Sequence, residues 1–243
     1  MSLGGLILSL ADNKQLLGLR YAEWATRAPS LEADIAAAAM GLDDLGHSRV
    51  LYGCLEPLGE AGHLAREADP GDYLNLPYFD EPWSSWDQFV AANAVLDTAF
   101  TVMIQACVEG NVEVLRSRLR KMLSEERYHF LHGRSWFRAG IEEGPLMEAW
   151  RQALEWFGPP DGEVVELYRR GALALGPAEL RAGLEQRLET RAPDLDIDWA
   201  TWDPRRRRSR PGRIDARTFD MLRGLEERRY HPSGARGQAG PGR

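Results

Sequence analysis

Apolar residues recur at helical spacing along almost the whole chain, and no segment sustains the period-two alternation with β-branched enrichment that a strand requires. The chain is therefore read as all-α. Its breaks then set the topology. A first helix is expected over about residues 10 to 27, ended by Pro29 in "RAPS", with Ser30 capping a second helix from Leu31 to Leu58. A connection rich in proline follows, "EADPGDYLNLPYFDEPWSSW", in which Pro70, Pro77 and Pro82 exclude regular helix. "SSWDQFVAANAVLDTAFTVMIQACVEG" gives a third helix ending at Gly110, and a fourth runs from Val112 to Ala139 with a break allowed near Gly133.

Two helical hairpins joined by a long crossover have the connectivity of a ferritin-like four-helix bundle. Additional C-terminal helices are expected in "GIEEGPLMEAWRQALEWFGPP", on either side of Gly176 and Pro177, and in "RTFDMLRGLEERRY". Residues 1–230 are read as one helical domain and the Gly/Pro-rich 231–243 as a disordered tail.

In such bundles an acidic residue three positions before a histidine turns both side chains toward the bundle axis. Two such pairs occur: Asp44 with His47 on the second helix, and Glu126 with His129 on the fourth. Residues equidistant from a hairpin turn sit at equal height. Reflecting Glu126 through the turn at Gly110 and Asn111 lands on Asp97, a helix-three carboxylate. Reflecting Asp44 through Pro29 lands on residue 14, which is a lysine.

A dinuclear iron or manganese centre wants about four carboxylates and two imidazoles. Here Asp44, Asp97, Glu126, His47 and His129 form a depleted set with a cation in the fourth carboxylate position. Lys14 falls in line with Leu10, Leu17 and Tyr21, on a face that reads as buried. Only Lys14 and Lys121 are lysines among the 30 basic Lys and Arg residues. Three readings stand: Lys14 closes the site as an internal salt bridge; Glu126, His129 and Asp97, with His47, hold one ion; or Lys14 snorkels to the surface. Asp12 is two residues from Lys14, on another helix face, and is not expected to replace the missing carboxylate.

With these residues in view, the chain resembles the phenylacetate-degradation oxygenase subunits, the multicomponent phenylacetyl-CoA ring epoxidase. "DNKQLLGLRYAEW" and "APSLEADIAAAAMGLDDLGHSR" look like the opening of its C subunit, "SEERYHFLHGRSWF" like that subunit's fourth helix, and "FDMLRGLEERRYHP" like its C-terminal helix. The resemblance implies a non-catalytic structural subunit with no metal of its own. It would pair with a paralogous di-iron subunit that epoxidises phenylacetyl-CoA, with electrons from a reductase component. Against that implication, both histidines and three carboxylates are retained. The alternative is a di-iron or di-manganese oxygenase in its own right, Asp44 and Glu126 bridging, His47 and His129 each on one ion and Asp97 terminal. Iron storage is disfavoured, because it calls for an acidic inner surface and cage assembly.

The net charge of −7 argues against nucleic acid as a partner, and no apolar run is read as a membrane span. A cytoplasmic protein with free, buried Cys54 and Cys107 is expected. "RRRRSRPGR", residues 205–213, is read as a solvated loop, the alternatives being a site for CoA phosphates, an acidic partner or RNA. Tyr73, Tyr78, Trp83 and Trp86 in the crossover are candidate interface anchors, or else ordinary packing over the bundle.

Overall fold

The structure is a computed structural model describing residues 2–60 and 69–230. The expected tail, 231–243, lies outside the described residues. Two hairpins make the bundle. Helix α1 spans Leu3–Glu23 and α2 Leu31–Tyr52. After the crossover, α3 (Trp86–Ala91), a π-helical segment (Ala92–Asp97) and α4 (Thr98–Glu109) run on as one continuous helix, which α5 (Glu113–Ala139) follows. Helices α6 (Glu143–Phe157), α7 (Glu163–Arg169), α8 (Pro177–Leu188) and α9 (Ala216–Tyr230) complete the chain. Among the described residues there is no strand, only an isolated antiparallel bridge between Asp203 and Arg208.

Local chemistry sets the boundaries. Ser30 caps α2 as expected, its Oγ accepting from Ala33 N at 3.2 Å. Helix α1 begins seven residues earlier than its periodicity suggested, because Ser2 supplies a cap that accepts from Gly5 N at 3.0 Å. It also stops earlier, at Glu23, while α2 ends at Tyr52 and gives way to a 3-10 turn over Glu56–Leu58. Helix α5 does not break at Gly133. A β-carbon there would lie 2.9–3.0 Å from Asn93 and Ala94, so the glycine serves a close approach to the π segment.

Gly18 and Gly41 do the same for the first hairpin. A β-carbon on either would stand 2.9 Å from the other's carbonyl oxygen, so the α1 and α2 backbones cross in direct contact. That crossing sets Lys14 beside Asp44.

The crossover is clamped by polar side chains of α1. Asp12 accepts from Tyr52 OH at 2.7 Å and from Leu74 N at 2.8 Å, and Asn13 Oδ1 accepts from Leu76 N at 2.8 Å. These bonds satisfy backbone groups that burial would otherwise leave unpaired. Asp12 is thereby committed to the crossover and stands apart from the central cluster.

Of the two readings of the crossover aromatics, packing is the one the structure shows: Tyr73, Tyr78 and Trp83 are buried and Trp86 stacks on Phe89 with centroids 4.3 Å apart. One expectation is corrected. The arginine run is not a solvated loop. Arg207 is buried between Trp156 and Trp202 and donates to the Trp156 carbonyl at 2.6 Å, while buried Arg208 grips Asp80 with both Nη atoms, at 3.0 and 2.5 Å. Finally, the helix Trp86–Glu109 is long and apolar enough to cross a membrane, yet 94% of that apolar window is buried inside the protein. Cys54 and Cys107 are free and buried, as expected.

Candidate functional site

The structure brings Lys14, Asp44, His47, Asp97, Glu126 and His129 together at the centre of the bundle, all of them buried. Each helix contributes. Lys14 comes from α1, Asp44 and His47 from one face of α2, and Glu126 and His129 from one face of α5. Asp97 closes the π segment, whose wider turn shifts the register just before the helix resumes as α4.

The Lys14 ammonium is at the middle. Its Nζ lies 2.7 Å from Asp44 Oδ1 and 2.5 Å from both Asp97 Oδ1 and Glu126 Oε1. Three donors thus meet three carboxylates. Burial opposes the charge on Lys14, but the three carboxylates outweigh it and hold its pKa well above the ordinary lysine value. Burial likewise disfavours ionised Glu126, and the Lys14, His129 and His47 charges reverse this and hold its carboxyl well below the usual range. Asp97 goes the other way, raised by burial and by the neighbouring Glu126 charge.

Both imidazoles face carboxylates on both edges. His47 Nε2 is 3.0 Å from Glu125 Oε2, and its Nδ1 is 2.8 Å from Glu126 Oε1, an ion-pair contact not aligned as a hydrogen bond. His129 Nδ1 bonds Asp97 Oδ2 at 3.0 Å, and its Nε2 lies 3.5 Å from Asp43 Oδ2. Burial works against protonation of each. Asp44 and Glu126 overcome it and push His47 up to about 10, and the carboxylates of Asp44, Glu126 and Asp97 push His129 up to about 9. Two imidazole rings and one ammonium thus face three central carboxylates, so that cationic and anionic groups alternate in the buried cluster.

Sequence reasoning missed the outer partners. Each arm carries a doubled acid, "DD" before His47 and "EE" before His129, and the outer acid of each pairs with the other helix's histidine: Glu125 with His47, Asp43 with His129. The doubling was the available signal. Tyr21, two turns beyond Lys14, donates to Asp97 Oδ2 at 3.1 Å, and Thr101 Oγ1 lies 2.9 Å from Glu126 Oε2.

By spacing, Asp44, Asp97, Glu126 and His129 could hold a metal ion, since one ligand atom from each lies within 4.8 Å of the others. His47 is not in that group; it is turned between Glu126 and Glu125. The donor set does not fit a pair of divalent ions. It is a carboxylate short, and the Lys14 ammonium bonds one oxygen of each of the three carboxylates that would have to bind them.

The profile of the family described as phenylacetic acid catabolic protein matches residues 2–235. The chain belongs to that family. Among its relatives is the C subunit of the 1,2-phenylacetyl-CoA epoxidase of Escherichia coli (strain K12), 29% identical over 190 residues that cover 73% of this chain and 76% of the relative. Within the phenylacetic acid catabolic family, then, this member carries a cluster of six buried side chains at the bundle centre, with a lysine among its carboxylates and imidazoles.

Proposed function

We propose that this chain is the non-catalytic, structural subunit of a multicomponent phenylacetyl-CoA epoxidase, supporting a paralogous subunit that holds the di-iron centre. The observation that carries this reading is the Lys14 ammonium, within 2.7 Å of all three central carboxylates. Closed by its own cation, the cluster ties four helices together with no ion needed to offset its carboxylates. Likeness to the C subunit of an epoxidase supports a place in a complex with partner subunits, among them the catalytic paralogue and a reductase component, in the cytoplasm.

The second reading, a metal-dependent oxygenase in its own right, is favoured by one observation, the gathering of four ligand atoms within 4.8 Å. It requires Lys14 to leave the cluster. Elemental analysis separates the two. Protein purified in air, and again after anaerobic Fe(II) reconstitution, is measured beside Lys14→Glu, which restores a fourth carboxylate, and Lys14→Gln, which only removes the charge. The structural reading expects well under one ion per native chain and iron uptake by Lys14→Glu. About two ions per native chain would overturn it.

A further inference from the structure

A cavity of about 640 Å³ opens at the turn between α4 and α5. It is remote from the buried cluster, since Glu109 on its edge lies about 18 Å along the helix axis from Asp97. One wall is that turn with the first part of α5, and the other is the end of α7 with the loop behind it. The walls are stitched together. Asn111 N donates to the Gly171 carbonyl at 2.8 Å, Asn111 Nδ2 to the Arg170 carbonyl at 2.9 Å, and Ala174 N to the Ala106 carbonyl at 2.9 Å. Gly110 permits the approach, because a β-carbon there would stand 2.3 Å from the Ala172 carbonyl oxygen. The cavity is thus preformed, and its size falls in the range of roughly 300–1,000 Å³ usual for small-molecule sites.

Three kinds of group line it. Of the exposed large apolar side chains among the described residues, only Tyr168 lies off α2 and α5, and it stands at this cavity. Its ring packs over Gly176, whose β-carbon would come within 3.3 Å, and is otherwise bare. Two guanidinium groups come from opposite walls, Arg169 beside Tyr168 and Arg116 from α5. Arg169 is steadied by Glu166 at 2.6 Å, while Arg116 makes no hydrogen bond among the described residues, its ion-pair contact with Glu113 being 4.0 Å long. The one carboxylate is Glu109, turned by a bond from Gln105 Nε2 to its Oε1 at 2.9 Å.

That combination narrows the ligand. Two guanidinium forks on facing walls suit an anion with several oxygens, above all a phosphate, in a protein whose net charge of −7 otherwise repels one. A bare phosphate would leave the Tyr168 ring idle and would be repelled by Glu109. An aromatic carboxylic acid would use the ring and one arginine, and again leave Glu109 facing an anion. A nucleoside phosphate uses all three. Its base stacks on an aromatic ring, its phosphates take the arginines, and its ribose hydroxyls are donors that a carboxylate accepts.

We propose that the cavity between the α4–α5 turn and the α7 loop binds a nucleoside phosphate, with Tyr168 under the base, Arg116 and Arg169 on the phosphates and Glu109 on the ribose. The site is separate from the Lys14 cluster and does not depend on whether the chain is a structural subunit or an oxygenase.

Calorimetric titration of the full chain at low ionic strength tests this, with ADP, adenosine and inorganic pyrophosphate as probes. ADP should saturate a single site, and adenosine and pyrophosphate should each bind at least roughly tenfold more weakly, since each lacks one half of the contacts. Arg116→Ala and Tyr168→Leu should each weaken ADP by roughly tenfold. Both side chains are exposed, so melting and helicity should not change. Arg205→Ala, away from the cavity, should bind ADP like the parent. Glu109→Gln should strengthen pyrophosphate while weakening ADP, a reversal that no general effect on the fold produces. Failure of ADP to bind saturably at millimolar concentration would overturn the proposal. So would pyrophosphate binding as tightly as ADP and ignoring Tyr168→Leu, which would mark surface arginines that attract any anion. ADP binding left intact by both Arg116→Ala and Tyr168→Leu would place the nucleotide elsewhere and overturn it too.

Discussion

Lys14 and Asp44, thirty residues apart in sequence, meet at 2.7 Å in the bundle centre, with no exposure to solvent on either side chain. The pair is held by geometry that has nothing to do with charge, the glycine crossing of α1 and α2. Removing the cation leaves three buried carboxylates facing one another. Lys14→Met is expected to cost about 3–5 kcal/mol, the usual penalty for breaking a buried ionic cluster on one side. Urea unfolding followed by circular dichroism measures it. Adding Asp97→Asn and Glu126→Gln to Lys14→Met should recover much of the loss, because the stranded charges go with them; no recovery would mean the lysine stem, not its charge, carries the stability.

The two histidines give the protein an alkaline limit. Their folded values, about 10 for His47 and about 9 for His129, lie above the ordinary 6.5. A raised value means that the folded state holds the proton more tightly. Their stabilisation is therefore complete below about pH 6.5 and is lost progressively as the pH rises through 9 to 10. Glu126, held low, contributes above its ordinary value and loses that contribution in acid, partly offset by Asp97, held high. Unfolding midpoints should fall steadily from pH 6.5 to pH 10. Imidazole NMR shifts should find His47 and His129 still protonated at pH 8, while His132, pushed down to about 4 by burial and by His129, is already neutral at pH 6.

The glycine crossing can be probed alone. Gly18→Ala and Gly41→Ala each add a methyl group 2.9 Å from a backbone oxygen that cannot swing away. Each should destabilise by about 1–3 kcal/mol despite the better helix propensity of alanine. Gly46 lies on the same helix with open space where its β-carbon would go. Gly46→Ala should therefore stabilise by up to about 1 kcal/mol. Equal effects at Gly41 and Gly46 in thermal melts would show that the crossing is looser than these distances imply.

How much of this was legible in the sequence differs from residue to residue. Asp44 and Glu126 were found by their spacing from His47 and His129, and Lys14 and Asp97 by reflecting them through two turns, because antiparallel helices of constant rise keep equidistant residues level. That held although α1 was displaced by several residues, since reflection depends on the turn and not on the helix ends. The π segment before Asp97 left no mark, because ANAVLD differs in nothing obvious from α-helical sequence. Asp43 and Glu125 were not singled out, because their role depends on which way each helix is rotated toward the other. The arginines failed for the same reason. Composition cannot say which of six guanidinium groups turn inward, and only the buried carbonyl of Trp156 and the carboxylate of Asp80 decide it.

That last point can be measured. Arg208 bonds Asp80 through two parallel contacts and also reaches the Asn75 and Arg210 carbonyls at 3.2 and 2.7 Å. Asp80 in turn bonds Asn75 Nδ2 at 2.9 Å, and its carbonyl accepts from Asp215 N at 2.8 Å, just ahead of α9. The arginine segment is thus a strap that fastens the crossover to the C-terminal helix. Lysine cannot reproduce the planar fork, so Arg208→Lys should cost about 1–3 kcal/mol. Asp80→Asn should cost a similar amount, and the double variant should cost less than the sum, since both changes break one pair. Arg205, exposed and, among the described residues, bonded only through its backbone N to Asp203, should tolerate Arg205→Ser within about 0.5 kcal/mol. If Arg205 and Arg208 shifted the thermal midpoint alike, the run would be a charged surface after all, and the site for anions or acidic partners that its composition suggests would return as its explanation.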